Sequence, residues 1–296
     1  MRYHDSLLEF RHGRYLKVAL LVMTASIAAY ACQEWITAFM APYVTRYLGV
    51  TPVTYFKPYG GTLVGYTLGT IAALLILWLM LLGLRKRRYR SSIGSLQGWT
   101  SAHVYLGVTL IVIATLHCAF EFGWNLHTFF YAVMIVVIVS GIIGVYTYLR
   151  YPRMMTDNLG DETLETLILK IADLDRECQS IALNLPDEVN KVVLKARKTR
   201  IGGSFRRQLA GNAVRCPTRA ACAELPALGK RFTGDQARIN QQLLGAMVRK
   251  NALVVRARRD LRLQALMQLW LYVHVPLSFT LLAAMIAHVV SVFYFW

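Results

Sequence analysis

The chain has 296 residues, 56% of them hydrophobic, and a formal net charge of +17. Its mean hydropathy is +0.41, and its apolar share exceeds the roughly 45–50% usual for soluble domains. Together with the clustering of apolar residues in long runs, this excludes an ordinary soluble domain and predicts an all-α, polytopic membrane protein.

The amino terminus, MRYHDSLLEFRHGRYLK, holds four basic residues. It has no short apolar core followed by a small-residue cleavage site, which predicts a retained first span. Runs long enough to cross about 30 Å of hydrocarbon occur at 16–41, 61–84, 100–121, 127–149 and 268–294. Five spans place the termini on opposite sides. The 85–98 connection carries Arg85, Lys86, Arg87, Arg88 and Arg90, the 42–60 connection only Arg46 and Lys57, and the 122–126 connection no basic residue. The positive-inside rule therefore puts the amino terminus, the 85–98 loop and the 150–267 segment in the cytoplasm and the carboxyl terminus outside, in a bacterial-type cytoplasmic (inner) membrane.

Span one ends with Gln33, Glu34 and Trp35, a polar pair and an indole suited to the outer interface. Span two carries Gly61, Gly65 and Gly69 at four-residue spacing, and span four carries Gly141 and Gly144. Such stripes allow close helix contact or make room for a flat cofactor. Span three holds His103 and His117, fourteen residues apart. On an α-helix that spacing advances about 21 Å and returns to within roughly 40° of the same face. The line between them runs through Gly107, Leu110 and Ala114, two small residues and one large one.

Between spans four and five lies a segment predicted to be a helical cytoplasmic insert. Residues 157–188 contain nine acidic residues and read as an amphipathic helix with Leu164, Leu167, Ile168, Ile171 and Leu174 as its apolar stripe, closed by Pro186. From Lys191 to Arg262 eighteen basic residues face three acidic ones. Gly202, Gly203, Gly211 and Pro217 break the first half of this stretch, and 234–263 reads as one long helix entering span five. Three readings of the basic surface stand. It rests on anionic lipid headgroups, docks an acidic redox partner, or binds nucleic acid, for which no recognised fold or interleaved aromatics are present. Nucleic acid is not expected as a partner. Cys178, Cys216 and Cys222 are too few, and wrongly spaced, for an iron–sulfur site within this chain.

Span five repeats the spacing of span three with His274 and His288, also fourteen residues apart, along the line Ser278, Leu281, Met285. Spans three and five run in the same direction, so His103 matches His274 in depth and His117 matches His288. Two opposed imidazoles at each of two levels are what bis-histidine axial ligation of haem iron requires. Packing hydrogen bonds and a histidine proton relay are the alternatives for intramembrane histidines. Zinc fits poorly, because a closed site takes four ligands at one depth.

On the H-x13-H pairs His103/His117 and His274/His288, the chain resembles the di-haem cytochrome b class shared by respiratory-chain cytochromes b, ferric reductases and NADPH oxidases. Placement on spans three and five, with a short outer connection between spans three and four, is most similar to the ferric-reductase and NADPH-oxidase membrane domain. The resemblance covers 61–149 and 268–294 and implies a five-helix bundle holding two haem b. The inner iron falls to His103 and His274 and the outer iron to His117 and His288, with Gly107 and Ala114 beside the rings. Arg46 and Lys57 are the candidates for the outer propionates, ordinary interfacial anchoring being the alternative for both.

That layout usually continues into a sixth span and a flavin domain. This chain ends at Trp296, and 150–267 holds no G-x-G-x-x-G or G-x-x-x-x-G-K-[ST]. The expectation is therefore three segments: membrane helices one to four at 1–149, the basic insert at 150–267 and helix five at 268–296. They form an electron-transfer subunit of a larger membrane oxidoreductase, served by a cytoplasmic redox subunit or flavoprotein or by quinone. The alternatives are a self-contained quinone-reactive cytochrome b and a haem-free histidine-relay transporter or proton channel.

Overall fold

The structure, a computed structural model, describes residues 12–48, 62–87, 95–213 and 215–295. It divides into two units, Met1–Val145 with Leu271–Trp296, and Tyr146–Trp270. Among the described residues the helices are α1 (His12–Ala31), α2 (Gln33–Leu48), α3 (Leu63–Arg87), α4 (Leu96–His117), α5 (Leu126–Leu159), α6 (Leu164–Ala182), α7 (Asp187–Arg197), α8 (Phe205–Ala210), α9 (Pro217–Gly229) and α10 (Gly234–Phe295). No strand is present among them.

Among the described residues five helical stretches are long and apolar enough to cross a membrane: Gly13–Ala31, Leu63–Arg85, Gly98–His117, and apolar windows within Leu126–Ala182 and Gly234–Tyr294. The first unit is built from these, with α2 beside them. One face of each looks inward: Val64, Leu68, Ala72 and Ile76 of α3 meet Leu110, Ile113 and Ala114 of α4, Met134 and Val137 of α5, and Leu281 and Met285 of α10. The opposite faces are also apolar but exposed, as at Leu21, Leu74, Ile143 and Phe279. Helices apolar all round yet bare on one side belong in hydrocarbon.

The observed ends depart from the expected spans in several places. The run 16–41 is not one helix, for α1 stops at Ala31 and α2 starts at Gln33 after a turn at Cys32. Gln33 does not reach outward with Glu34 and Trp35; it is buried and accepts a hydrogen bond from Thr62 Oγ1 at 3.4 Å. Helix α4 ends at His117 instead of 121, because Ala119 and Phe120 take left-handed backbone conformations (φ 50° and 61°) that no helix continues through. Helices α5 and α10 outrun their apolar parts.

The second unit has the pattern of helices in water. Buried residues recur at three- and four-residue steps: Leu167, Ile171, Cys178 and Ala182 on α6, Val189, Val192, Val193 and Ala196 on α7, and Leu243, Ala246, Met247, Val254 and Ala257 on α10. The expected single helix over 157–188 is three pieces. Helix α5 runs on to Leu159, Gly160 (φ 60°) turns the chain, and the Thr163 capping box with Thr166 starts α6. Ile168 is exposed, so the stripe follows Leu167 and Ile171 down to Cys178 and Ala182. Pro186 does not close α6, which ends at Ala182; it is the N-cap of α7.

Arg256 ties these pieces together. Its guanidinium donates to the Asn158 carbonyl at 3.0 Å and the Leu159 carbonyl at 3.0 Å and pairs with Glu162 at 3.3 Å. A cation on the last carbonyls of α5 is favourable for the helix dipole as well as for the hydrogen bonds. Burial pushes the Cys178 thiol up to about 11 and also raises Cys222, which makes these two thiols poor nucleophiles.

Candidate functional site

The four histidines stand on α4 and α10, and between them Leu110 and Ala114 of α4 and Leu281 and Met285 of α10 face inward, buried in one core cluster. The lines are thus joined by an apolar layer, with a histidine at each end of each line. At the His117 end the two helices bring their rings together, the His117 and His288 centroids lying 6.2 Å apart with planes at 87°.

Each ring is held through Nδ1 by a neighbouring helix. His103 Nδ1 lies 3.0 Å from the Leu79 carbonyl and His117 Nδ1 2.7 Å from the Gly65 carbonyl, both on α3. A carbonyl only accepts, so these rings carry the proton on Nδ1 and the lone pair on Nε2. His274 Nδ1 lies 2.7 Å from Ser140 Oγ of α5, and that hydroxyl also lies 2.7 Å from the Val137 carbonyl. With the hydroxyl proton on Val137, the Ser140 oxygen accepts from His274 Nδ1, and the ring is then the same tautomer. His288 Nδ1 meets Nδ1 of His127 at 2.7 Å.

Of the glycine stripe, Gly65 supplies the carbonyl under His117 and Gly69 the room for its ring. A Cβ at Gly69 would stand 2.7 Å from His117 Cε1 and 3.0 Å from Nδ1. Gly141 is an ordinary neighbour of His274, its Cβ position lying 3.5 Å from Cε1. Gly107 faces open space, with nothing within 4 Å of a Cβ there, whereas Ala114 is packed into the core. Arg46 is exposed in the last turn of α2, its Cζ 6.0 Å from the Tyr47 ring centroid. Gly61 and Lys57 lie outside the described residues.

Gly69→Ala is expected to lower the melting temperature in detergent, because overpacking a fitted contact costs about 1–3 kcal/mol. Gly83→Ala, on the same helix and with open space at its Cβ, should melt no lower than the parent. Equal melting of both variants would mean that the His117 ring moves aside freely.

Two side chains that touch these rings escaped the spacing argument. His127 opens α5 directly after the short connection that follows His117, which returns it to the same end of the bundle; that proximity in the chain was the available signal. Ser140 stood beside the noted Gly141 as a lone hydroxyl in an apolar run.

Among the described residues no three His, Cys, Asp or Glu side chains are grouped to hold a metal ion by themselves. Chemistry that asks for two ligands from the protein is a different requirement. Two metal–nitrogen bonds of about 2 Å and the two ring radii come to about 6 Å, in keeping with the His117–His288 separation. No family model, curated protein or solved structure matches the chain. The class that the fold itself defines is a multi-pass helical membrane protein, in which α4 and α10 bring His117 and His288 together.

Proposed function

We propose that the protein is a membrane cytochrome b that holds two b-type haems and serves as an electron-transfer subunit of a larger oxidoreductase. The observation that carries this reading is the His117–His288 pair, two rings from two helices at 6.2 Å, on a spacing that His103 and His274 repeat. A bound haem b supplies one-electron redox chemistry. The chain's own part is to present Nε2 of four imidazoles, to fix their tautomers through Leu79, Gly65 and Ser140, and to keep an apolar layer between the two levels. Two histidines holding each haem would leave no place for oxygen, so low-spin spectra are expected. The pyridine haemochrome of purified protein tests the reading, and two haem b per chain is the expected result.

A second reading has one observation in its favour. His117, His127 and His288 form a run of imidazoles in ring contact, the arrangement of a proton relay in a transporter or channel. Haem-free, folded protein in the same assay would favour it.

The orientation proposed is that of the charge distribution, with the basic second unit in the cytoplasm of a bacterial-type inner membrane. Its partner on this reading is an acidic redox subunit or flavoprotein, with quinone the other electron-exchange partner. Lys195, Arg197 and Lys198 are exposed at the end of α7 and form no ion pair among the described residues. Lys195 and Lys198 flank a groove of about 290 Å³ between α7 and α9. Reversing these three charges should slow partner association as raised salt does, the Debye length being about 8 Å at physiological ionic strength. Unchanged partner recovery in neutral detergent would leave lipid headgroups as the ligand of this face.

A further inference from the structure

The di-haem reading leaves one of its four rings with a different neighbour, and the following rests on that reading. His103 and His117 each give their Nδ1 proton to a carbonyl oxygen, and His274 Nδ1 faces a hydroxyl oxygen. His288 Nδ1 instead faces a ring nitrogen, Nδ1 of His127, at 2.7 Å. One proton lies between these two atoms. For His288 to present its lone pair at Nε2, as the other three rings do, its own Nδ1 carries that proton, and His127 must accept it as the Nε2–H tautomer.

The ring is also gripped on two sides by the first turn of α5. Phe130 stacks on His288 with centroids 5.3 Å apart and planes at 22°, and His127 meets it edge-on at 4.6 Å and 89°. An imidazole nitrogen is a stronger acceptor than a peptide carbonyl or a hydroxyl oxygen. A donor so engaged gains basicity at its other nitrogen, the usual effect of a hydrogen bond behind a ligating histidine.

We propose that His127 is the positioning residue of the His117–His288 site. It receives the Nδ1 proton of His288, sets that ring as an Nε2 ligand and, with Phe130, fixes its plane. The haem at this level is then the one with the more basic axial ligand, and its midpoint potential is lowered relative to a site backed by oxygen acceptors.

The experiment compares wild-type protein with His127→Leu, which keeps bulk but removes the acceptor, and His127→Asn, which restores an acceptor near the position of Nδ1. Redox titration and low-temperature electron paramagnetic resonance are read on purified, folded protein. In His127→Leu one of the two midpoint potentials should rise and one low-spin signal should shift, the other haem being unmoved, and His127→Asn should return both toward wild type. If His127→Leu loses that haem altogether, retention in His127→Asn supports the proposal and loss in both overturns it. Potentials and signals unchanged in His127→Leu, or displaced equally in the two variants, also overturn it. Absence of haem b from the wild-type protein overturns the di-haem reading itself, whereas failure confined to the His127 variants overturns this inference alone.

Discussion

On the di-haem reading proposed above, replacing His117 by alanine is expected to remove about half of the haem b and to leave the absorbance of the remaining haem largely intact, since each haem would be held by its own histidine pair. His117 lies in the last turn of α4, its ring seated against Gly69 and bonded to the Gly65 carbonyl at 2.7 Å. The variant therefore loses a ligand, a hydrogen bond and a filled contact at one end of the bundle. The other pair is fourteen residues away along both helices, about 21 Å of helix, and its rings are fixed independently by Leu79 and Ser140. Site-selective loss follows from that separation. Difference spectra and haemochrome yield check it on protein shown to be folded by circular dichroism. Equal loss of both haems would break the pairing of His117 with His288 and of His103 with His274.

The approach of His117 to His288 was legible in the sequence because helical geometry is regular: a spacing of fourteen fixes face and rise without further information. What holds each ring was not. Carbonyls of Leu79 and Gly65 are backbone groups that any residue type carries, and the helix that offers them is chosen by packing. His127 sat in plain view but off the repeating spacing, and only the turn formed by 118–125 brings it to His288. Span limits were displaced where a local stop or continuation outweighed hydropathy, as at Ala119 and Phe120 after α4 and through Pro152 within α5. Charge counting also misread part of the basic stretch. Arg256 is a helix cap, Arg258 is buried against the Arg200 carbonyl at 2.8 Å, and Lys250 is enclosed. A sum of charges records none of this, because burial of a cation depends on a partner distant in the chain, 75 residues away for Lys250.

That partner is the subject of the second large effect. Lys250 is 1% exposed, and its Nζ donates to Asp175 Oδ1 at 2.6 Å and to the Ala196 carbonyl at 2.8 Å. The three residues belong to α10, α6 and α7, and Ala196 lies in the last turn of α7, where the helix dipole favours a positive charge. Around them Cys178, Ala246 and Met247 are fully buried, so the ammonium has apolar surroundings apart from these acceptors. Asp175→Ala removes the counter-charge and leaves a buried cation with a carbonyl alone, which is expected to destabilise the second unit by about 3–5 kcal/mol. Lys250→Met should cost less, because the carboxylate left behind is 19% exposed and can hydrate. Combining Lys250→Met with Asp175→Leu exchanges the pair for packed side chains, a replacement that is often neutral or stabilising by about 1–4 kcal/mol. Hydrogen exchange of α6 and α7 in the full chain gives the readout, with protection falling most in Asp175→Ala and returning in the double variant. Asp175→Ala protein as protected as the parent would show that the ammonium finds water in place of the carboxylate, and that the pair does not hold the three helices together.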